Sequence, residues 1–324
     1  VKNCSPDFML GVRRNLTIDE DDVWSIHLTQ AEFIDGLVGA WKTHMAIAGW
    51  EVKSPKTPVP PGLFLTADQN DPKGFVPEDE YKAVDKRGYK AVCGSLLWVS
   101  RFCHPEISAG VSMCCRVMQK PSELAWNATM QIIAWLRDHK EIGIKFKSDE
   151  TEHGLVSTTD ASFKGDPKDA KCMACQTIHW MGGPISFSCG KLPRVAAASG
   201  GSEHMSMRIA ASTIMKFRHL FREIGLTDPI VLPTIMYCDS KVAINWQKTG
   251  KITAGNHHQN VDWHMTREWE REGHLQIKGL DTKDIYSDLG TKCCGEAEYD
   301  SLYLPLVGHE SWVIKFPRET MTFT

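Results

Sequence analysis

The chain has 324 residues, of which 42% are hydrophobic and 24% are charged, and its formal net charge is −3 at pH 7. These values are typical of a globular protein with one large core or two to three smaller ones. They exclude a strongly basic protein whose overall electrostatic field attracts nucleic acid. Any contact with nucleic acid must therefore come from local basic clusters or from a partner. No apolar run approaches the ~20 residues that span a bilayer.

Eleven cysteines are many for this length, but their positions argue against a disulfide framework. Two pairs are adjacent in the sequence, Cys114 with Cys115 and Cys293 with Cys294, and we expect reduced thiols. The spacing Cys172-x-x-Cys175 is compatible with zinc, but no second pair lies at zinc-finger spacing. On a strand those two side chains would also point to opposite faces, so zinc is the weaker interpretation.

The first half of the chain predicts a hairpin, a linker and a helical region. Residues 1–50 contain two apolar runs around the acidic turn from Asp19 to Asp22, followed by a helical pattern, which predicts a β-hairpin and one helix. Residues 51–88 include "KSPKTPVPPG" and predict an extended linker. Residues 89–147 predict three helices and a closing strand, with Ser122 as the N-cap of the third helix.

The second half, residues 151–295, predicts a mixed sheet. The segments "GLVSTTD", "ACQTIHWM" and "PISFSCG" are short strands joined by turns, and helices and strands alternate after them up to a short helix near 284–292. Three consecutive strands followed by this alternation predict a mixed α/β sheet with helices packed against it. Residues 296–324 show no clear pattern, and we interpret them as a tail.

Four carboxylates lie at predicted element boundaries in this second half. Asp160 lies in the first strand, Glu203 opens the long helix, Asp239 ends the strand "PTIMYCDS", and Asp288 lies in "DIYSDLGTK". Mg²⁺ prefers oxygen ligands, and two such ions can activate water and stabilise the leaving oxygen in phosphodiester hydrolysis. The pattern therefore predicts a metal site, and the alternative is four unrelated caps and surface acids among 40 acidic residues.

Ordered sequence blocks extend from residue 7 to about residue 292. They include "IHLTQAEFIDGLV", "TPVPPG" and "YKAVCGSLLWVSRFCHPEI" in the first half, and "TTDASFKGDP", "SEHMSM", "YCDSKVAI" and "YSDLGTK" in the second. In this order they resemble the copia-type (pseudovirus) retrotransposon polyprotein, from the late reverse transcriptase region through RNase H.

The resemblance implies an α/β (α+β) fold class with an RNase H-like mixed sheet and flanking helices, preceded by a smaller thumb- and connection-like region. Residues 1–50 would be a primer-grip and thumb-like hairpin and helix, 51–88 a proline-rich linker and 89–147 a helical connection region. Residues 151–295 would be the RNase H-like domain, and 296–324 a tail.

The resemblance also implies a function for the four carboxylates. Asp160, Glu203, Asp239 and Asp288 would be catalytic and would bind two Mg²⁺ (or Mn²⁺) ions, and the reaction would be hydrolysis of RNA in RNA–DNA hybrids. The family's "YVDD" polymerase loop would precede residue 1, and Asp21-Asp22, which lies in a hairpin turn, does not substitute for it. We therefore expect no polymerase activity from this chain alone.

The chain departs from the family's pattern at three positions. Gly201 stands where the family usually has a second glutamate, and the "KHID" block is "QNVD", with Gln259 and Asn260 in place of its Lys and His. The chain also begins with Val1 rather than Met, so we expect a fragment or a processed product. The second hypothesis is accordingly a catalytically silent, element-derived fragment that serves as a structural or interaction subunit of a larger assembly. A plain nucleic-acid-binding module is the third.

The expected partners are an RNA–DNA hybrid and the remainder of the reverse transcriptase polyprotein. Lys164, Lys191 and Arg194 lie in turns beside the proposed site, where they could meet phosphates. His257 and His258 lie in a loop bounded by Gly and Asn and could approach the scissile phosphate. The alternative for all five is solvated surface. We expect an intracellular protein, either cytoplasmic in a virus-like particle or nuclear.

Overall fold

The computed structural model describes residues 7–149, 154–163, 166–249 and 260–310. Its first sheet is antiparallel, with β1 (Phe8–Met9), β2 (Val12–Ile18), β3 (Trp24–Thr29) and β4 (Ile144–Lys147) in that order. The predicted hairpin is β2–β3, and its turn is fixed by Asp19, whose Oδ1 accepts the backbone N–H groups of Asp21 and Val23 at 3.0 and 2.9 Å. Asp21 and Asp22 are exposed in this turn.

Five helices separate β3 from β4. They are α1 (Ala31–Ile47), α2 (Glu78–Lys86), α3 (Tyr89–Phe102), α4 (Ser108–Arg116) and α5 (Glu123–His139). Ser122 caps α5 as predicted, because its side chain accepts the N–H of Ala125 at 3.2 Å. Helix α5 runs through the main core, where Trp135 is 1% exposed and Met130 and Ile133 are fully buried.

The proline-rich segment is packed against this core, which corrects the prediction of a linker over 51–88. Val59, Leu63 and Leu65 are buried in the same cluster as α5, and Gln131 Nε2 donates to the carbonyl of Thr57 at 3.0 Å. Helix α2 occupies the end of the segment. Prolines fix φ and lower the entropy lost on ordering, and the apolar residues between them supply the burial that a solvated linker lacks.

The second sheet has the order β7-β6-β5-β8-β9. Its strands are β5 (Val156–Ser162), β6 (Met173–Trp180), β7 (Gly183–Lys191), β8 (Thr234–Cys238) and β9 (Leu275–Gly279). β5, β6 and β7 pair antiparallel, whereas β5, β8 and β9 pair parallel. This mixed sheet with flanking helices is the predicted RNase H-like fold.

Helices cover both faces of the second sheet. α6 (Ser199–Glu223) packs on one face, where Met207, Ala211 and Ile214 meet Ile178 and Met236 in a buried cluster. The single turn α9 (Asp288–Thr291) packs on the opposite face. Its Gly290 is required there, because a Cβ at this position would lie 2.4 Å from the sulfur of Cys175. Two further helices, α7 (Lys241–Thr249) and α8 (Asn260–Arg271), pack against α6.

The predicted tail contains a packed helix, which is a second correction. α10 (Glu296–Leu306) contributes Tyr299, Leu302 and Leu306 to the core that holds α5, and the rings of Tyr299 and Trp135 meet edge to face at 5.7 Å. The spacing from 299 to 302 and 306 is helical, but Pro305 hides the pattern. The rest of that predicted tail, 311–324, lies outside the described residues.

Two negative findings apply to the described part of the chain. None of its helices is long and apolar enough to cross a membrane. None of its cysteines forms a disulfide.

A buried histidine ties α10 to the second sheet and makes the stability of the fold depend on pH. His179 on β6 is 2% exposed, and its Nε2 donates to the carbonyl of Leu306 at 3.1 Å. Burial lowers the pKa of His179 from its ordinary value of 6.5 to about 3. Because the unfolded chain takes up a proton below pH 6.5 that the folded chain refuses, stability falls as pH decreases from 6.5 towards 3.

We therefore expect His179→Gln, which keeps a side-chain N–H donor, to flatten the pH dependence of the free energy of unfolding. Between pH 7 and pH 5 the wild type should lose about 2 kcal/mol more than the variant. Urea unfolding at the two pH values measures the difference. His219→Gln, at an exposed position on α6, is the matched control. If the free energy of unfolding of His179→Gln depended on pH as strongly as that of the wild type, the prediction would be contradicted.

Candidate metal centre

Two of the four predicted carboxylates lie where parallel strands end. β5 and β8 pair in parallel through Thr158 and Tyr237; Asp160 lies two residues beyond this pair on β5, and Asp239 directly follows β8. The pairing between β5 and β8 stops at this pair. Such carboxyl ends of a parallel pair are the usual place for a binding site in a sheet of this kind.

The third carboxylate comes from α6. This helix begins at Ser199, so Glu203 lies in its second turn rather than opening it as predicted. Glu203 Oε2 accepts the backbone N–H of Ala161 at 3.1 Å, which lies beyond the last residue of β5 that pairs with β8. One turn later, Ser206 Oγ donates to the carbonyl of Asp160 at 3.0 Å. Helix α6 is thus fixed to the strand that carries Asp160.

The fourth carboxylate, Asp288, approaches from the opposite face on α9. Its Oδ2 accepts from Lys292 Nζ at 2.7 Å, whereas its Oδ1 is buried and has no hydrogen-bond donor among the described residues. Thr291 on the same turn donates its hydroxyl to Asp160 Oδ2. One turn of helix therefore supplies a ligand candidate, Asp288, and orients a second, Asp160.

The four carboxylates share one electrostatic environment. Burial raises the pKa of Glu203 to about 9, with further contributions from Asp160, Asp239 and Asp288. Burial and the charge of Asp160 raise the pKa of Asp288 to about 8, against the opposing effect of Lys292. Like charges at short range favour the protonated acid. The predicted set is therefore brought together around Glu203, at an electrostatic cost that a cation would relieve.

The structure adds a residue that the sequence did not single out. The ligand atoms of Glu203, Cys238 and Asp239 all lie within 4.8 Å of one another, and this is the single such group found in the described residues. The Ser240 N–H donates to Cys238 Sγ at 3.4 Å, and burial raises the pKa of the thiol, so it stays protonated. In the sequence, the adjacency of Cys238 to Asp239 was the feature that could have indicated that Cys238 lies near the site.

The donor set fits a hard divalent cation. Carboxylate oxygens are the ligands that Mg²⁺ and Mn²⁺ prefer, and Asp288 Oδ1 is a buried acceptor without a donor in the described part of the chain. The raised pKa values of Glu203 and Asp288 are what an acidic site without its cation shows. A protonated thiol is a poor ligand for such a cation, so Cys238 does not belong to the donor set.

The predicted nucleic-acid contacts have different outcomes. Lys191 Nζ is paired with Asp166 at 2.9 Å and with Asp169 at 3.0 Å, which neutralises its charge and does not favour a phosphate contact. Arg194 is exposed in the loop before α6. Lys164, His257 and His258 lie outside the described residues, and so does Gln259 of the altered "KHID" block.

The fold and the carboxylate cluster define an RNase H-like domain. The chain is homologous to retrovirus-related Pol polyproteins of copia-type transposons, which confirms the predicted resemblance. It is 26% identical over 267 residues to the polyprotein from transposon RE1 of Arabidopsis thaliana (82% of this chain, 17% of that one). It is 26% identical over 211 residues to that of transposon RE2 of the same plant (65% and 14%). It is 25% identical over 223 residues to that of transposon TNT 1-94 of Nicotiana tabacum (69% and 16%).

The chain thus spans between 14% and 17% of the length of these relatives. No family model matches it. Among solved structures it is similar to RNase H1 from Halobacterium salinarum, with a TM-score of 0.29 and 11% identity over 41% of this chain and 89% of that one. It is also similar to LC11-RNase H1 in complex with an RNA/DNA hybrid, with a TM-score of 0.31 and 13% identity over 47% and 96%. The fold assignment rests on the strand order and pairing described above.

Proposed function

We propose that the chain is the RNase H-like portion of a copia-type retrotransposon reverse transcriptase and hydrolyses the RNA strand of RNA–DNA hybrids with divalent metal ions. The observation that carries the proposal is the convergence of carboxylates from four separate elements, with Glu203 coupled to the other three. Asp160, Glu203, Asp239 and Asp288 are the proposed ligands for two Mg²⁺ or Mn²⁺ ions. The homology to Pol polyproteins supports the remainder of such a polyprotein as a partner.

Three of the four carboxylates have a hydroxyl or backbone N–H donor that fixes their position. Thr291 orients Asp160, the Ala161 N–H orients Glu203, and Thr282 Oγ1 donates to Asp239 Oδ2 at 2.8 Å. Two bound divalent ions supply an activated water and a stabilised leaving oxygen in phosphodiester hydrolysis. Because the pKa of Glu203 is raised to about 9, its carboxyl holds a proton at neutral pH and releases it when a cation binds.

The test is cleavage of a labelled RNA–DNA hybrid by the full chain. We expect the RNA strand to be cut in Mg²⁺ or Mn²⁺, no cleavage in EDTA, and recovery when the metal is added back. A DNA duplex and an RNA duplex of the same sequence are the matched substrates and should remain intact. Cleavage that persists in EDTA, or equal cleavage of all three duplexes, would overturn the proposal.

Glu203 also predicts how metal binding changes stability. Its pKa in the folded chain, about 9, lies above the ordinary value of 4.5. The folded state therefore binds the proton more tightly, and stability is lost as pH rises from 4.5 through 9. We expect Glu203→Gln, which can still accept the Ala161 N–H, to raise the metal-free free energy of unfolding at pH 8 by about 1–3 kcal/mol. This gain should vanish near pH 4.5.

Thermal unfolding with and without Mg²⁺ at pH 5 and pH 8 measures both effects. Mg²⁺ should raise the melting temperature of the wild type at pH 8, and it should raise that of Glu203→Gln less. Glu223→Gln, at an exposed position of the same helix, is the matched control and should behave as the wild type. A lower metal-free melting temperature in Glu203→Gln at pH 8 would contradict the electrostatic argument.

The second candidate is a catalytically silent subunit of a larger assembly. The observation that favours it is the ion pair between Lys292 and Asp288, which already places a positive charge at the site, together with Gly201 in place of a glutamate. Mg²⁺-dependent stabilisation without hybrid cleavage would support this candidate over the enzyme.

A further inference from the structure

Arg116, at the end of α4, has a half-buried side chain that meets no hydrogen-bond acceptor in the part of the chain that the structure describes. Its Nε is buried and has no hydrogen-bond partner, and within the described residues its guanidinium forms no hydrogen bond or ion pair. Burial lowers the pKa of Arg116, although nearby Asp166 opposes this effect. A guanidinium carries five N–H donors, and removing it from water without acceptors is costly. The arrangement suits an acceptor that comes from outside the chain.

Arg116 lines a cavity that adjoins the carboxylate cluster. The cavity has a volume of about 190 Å³, and its wall includes Arg116, Lys171, Thr291 and Lys292. Thr291 and Lys292 are the residues that contact Asp160 and Asp288. The cavity is therefore next to the proposed reaction centre, although Arg116 belongs to the helical region before the second sheet.

The charges on the cavity wall select an anion. Arg116, Lys171 and Lys292 are cationic, although Lys292 is paired with Asp288 at 2.7 Å, and Asp166 is the acidic residue among the lining residues. The charge of Asp166 is offset by Lys191 at 2.9 Å and by the hydroxyl of Thr66 at 2.7 Å. With both Asp166 and Lys292 compensated, Arg116 and Lys171 leave an excess of positive charge in the cavity, and the fork of Arg116 matches the paired oxygens of a phosphate or carboxylate.

Basic character continues from this cavity along α4 towards α3. A second cavity of about 190 Å³ is lined by Arg101, Ser112 and Cys189, and both Arg101 and Arg116 lie close enough to Cys189 to act on the pKa of its thiol. A polyanion with regularly spaced charges suits two adjacent basic sites better than a single carboxylate does. This is the kind of local basic cluster that a chain with a net charge of −3 needs to hold nucleic acid.

We propose that Arg116 binds a backbone phosphate of the nucleic acid substrate, so that α4 forms part of the substrate site and helps to position the hybrid on the carboxylate cluster. The inference rests on the proposed function, because that function supplies the polyanion. Arg116 is a positioning residue in this proposal. It makes phosphate contacts that hold the duplex in register, and Lys171 adds a point charge.

The test is equilibrium binding of a fluorescently labelled RNA–DNA hybrid in EDTA over a series of salt concentrations. We expect Arg116→Met to raise Kd about tenfold, the equivalent of one charge-assisted hydrogen bond. The slope of log Kd against log salt should fall by about one, as for the loss of one phosphate contact. Arg116→Lys keeps the charge and should retain the slope with a smaller loss of affinity. Arg222→Met, at an exposed position of α6, is the matched control.

The outcomes separate this inference from the proposed function. Wild-type cleavage with unchanged binding by a folded Arg116→Met variant would overturn the phosphate site and leave the nuclease intact. Absence of cleavage by the wild type, together with weaker binding by Arg116→Met, would overturn the nuclease and support the phosphate site. A wild type without measurable affinity for the hybrid at low salt would overturn both. Equal melting temperatures of the variants and the wild type show that folding is not the cause.

Discussion

Replacing Asp160 with Asn is expected to lower the rate of hybrid cleavage by about three orders of magnitude, equivalent to about 4 kcal/mol. Asp160 is 3% exposed, and its charge contributes to the raised pKa values of both Glu203 and Asp288. Asn has nearly the same shape and can still accept the hydroxyl of Thr291, but it removes one negative charge from the centre of the cluster. Asp239→Asn should act in the same direction.

Rates with saturating Mg²⁺, measured together with metal-free melting temperatures, distinguish lost chemistry from lost folding. Since the Asp160 charge repels its neighbours, Asp160→Asn should leave the metal-free melting temperature unchanged or raise it. Asp21→Asn, at an exposed position in the β2–β3 turn, is the matched control and should cleave at the wild-type rate. Cleavage that survives substitution of both Asp160 and Asp239 would contradict the proposed metal centre.

Local patterns in the sequence predict where three of the candidate ligands lie on their strands and helix. Asp160 and Asp239 lie on or next to apolar strands, and strands that pair in parallel bring their carboxyl ends to one edge of a sheet. Glu203 was placed within one turn of its position on α6. In each case the residues next to the carboxylate in the sequence show the strand or helix pattern, because strand and helix periodicity are local properties.

The contacts that orient these carboxylates could not be predicted, because they join distant parts of the chain. Thr291 and Asp160 are 131 positions apart, and no local pattern connects a threonine after a glycine to a strand aspartate. Cys238 lies near Glu203 only in the folded chain. Arg116 had no distinguishing neighbour in the sequence, since its proposed role depends on a cavity formed by four separate segments.

The two corrections in the fold have a common physical cause. Both the proline-rich segment and α10 have weak periodicity, but each contains apolar side chains that the main core buries, such as Val59 and Leu306. Burial in tertiary structure overrides a weak local signal. The same core includes Leu289 of α9, the turn that carries Asp288. The packing of α10 is therefore connected to the site through a shared core. Weakening this packing should lower the free energy of unfolding measurably.

Leu306→Ala is expected to lower the free energy of unfolding by about 2–5 kcal/mol. Leu306 is fully buried, and truncating it removes apolar contacts and leaves a cavity that the surrounding core fills only partly. If 296–324 were a solvated tail, the same substitution would change stability by no more than about 0.5 kcal/mol. The measurement is the midpoint of urea unfolding. If the dependence of the free energy of unfolding on urea concentration (the m-value) is the same in both proteins, a shift of the midpoint reports a change in stability.

Leu220→Ala provides the matched control, because Leu220 is a helical leucine that is 50% exposed on α6. Its replacement should change stability much less than that of Leu306. The backbone of Leu306 also accepts the hydrogen bond of His179, and this contact does not depend on the side chain. The deficit of Leu306→Ala should therefore be the same at pH 7 and pH 5. A deficit no larger than that of Leu220→Ala would show that α10 does not stabilise the core, and the interpretation of a tail would stand.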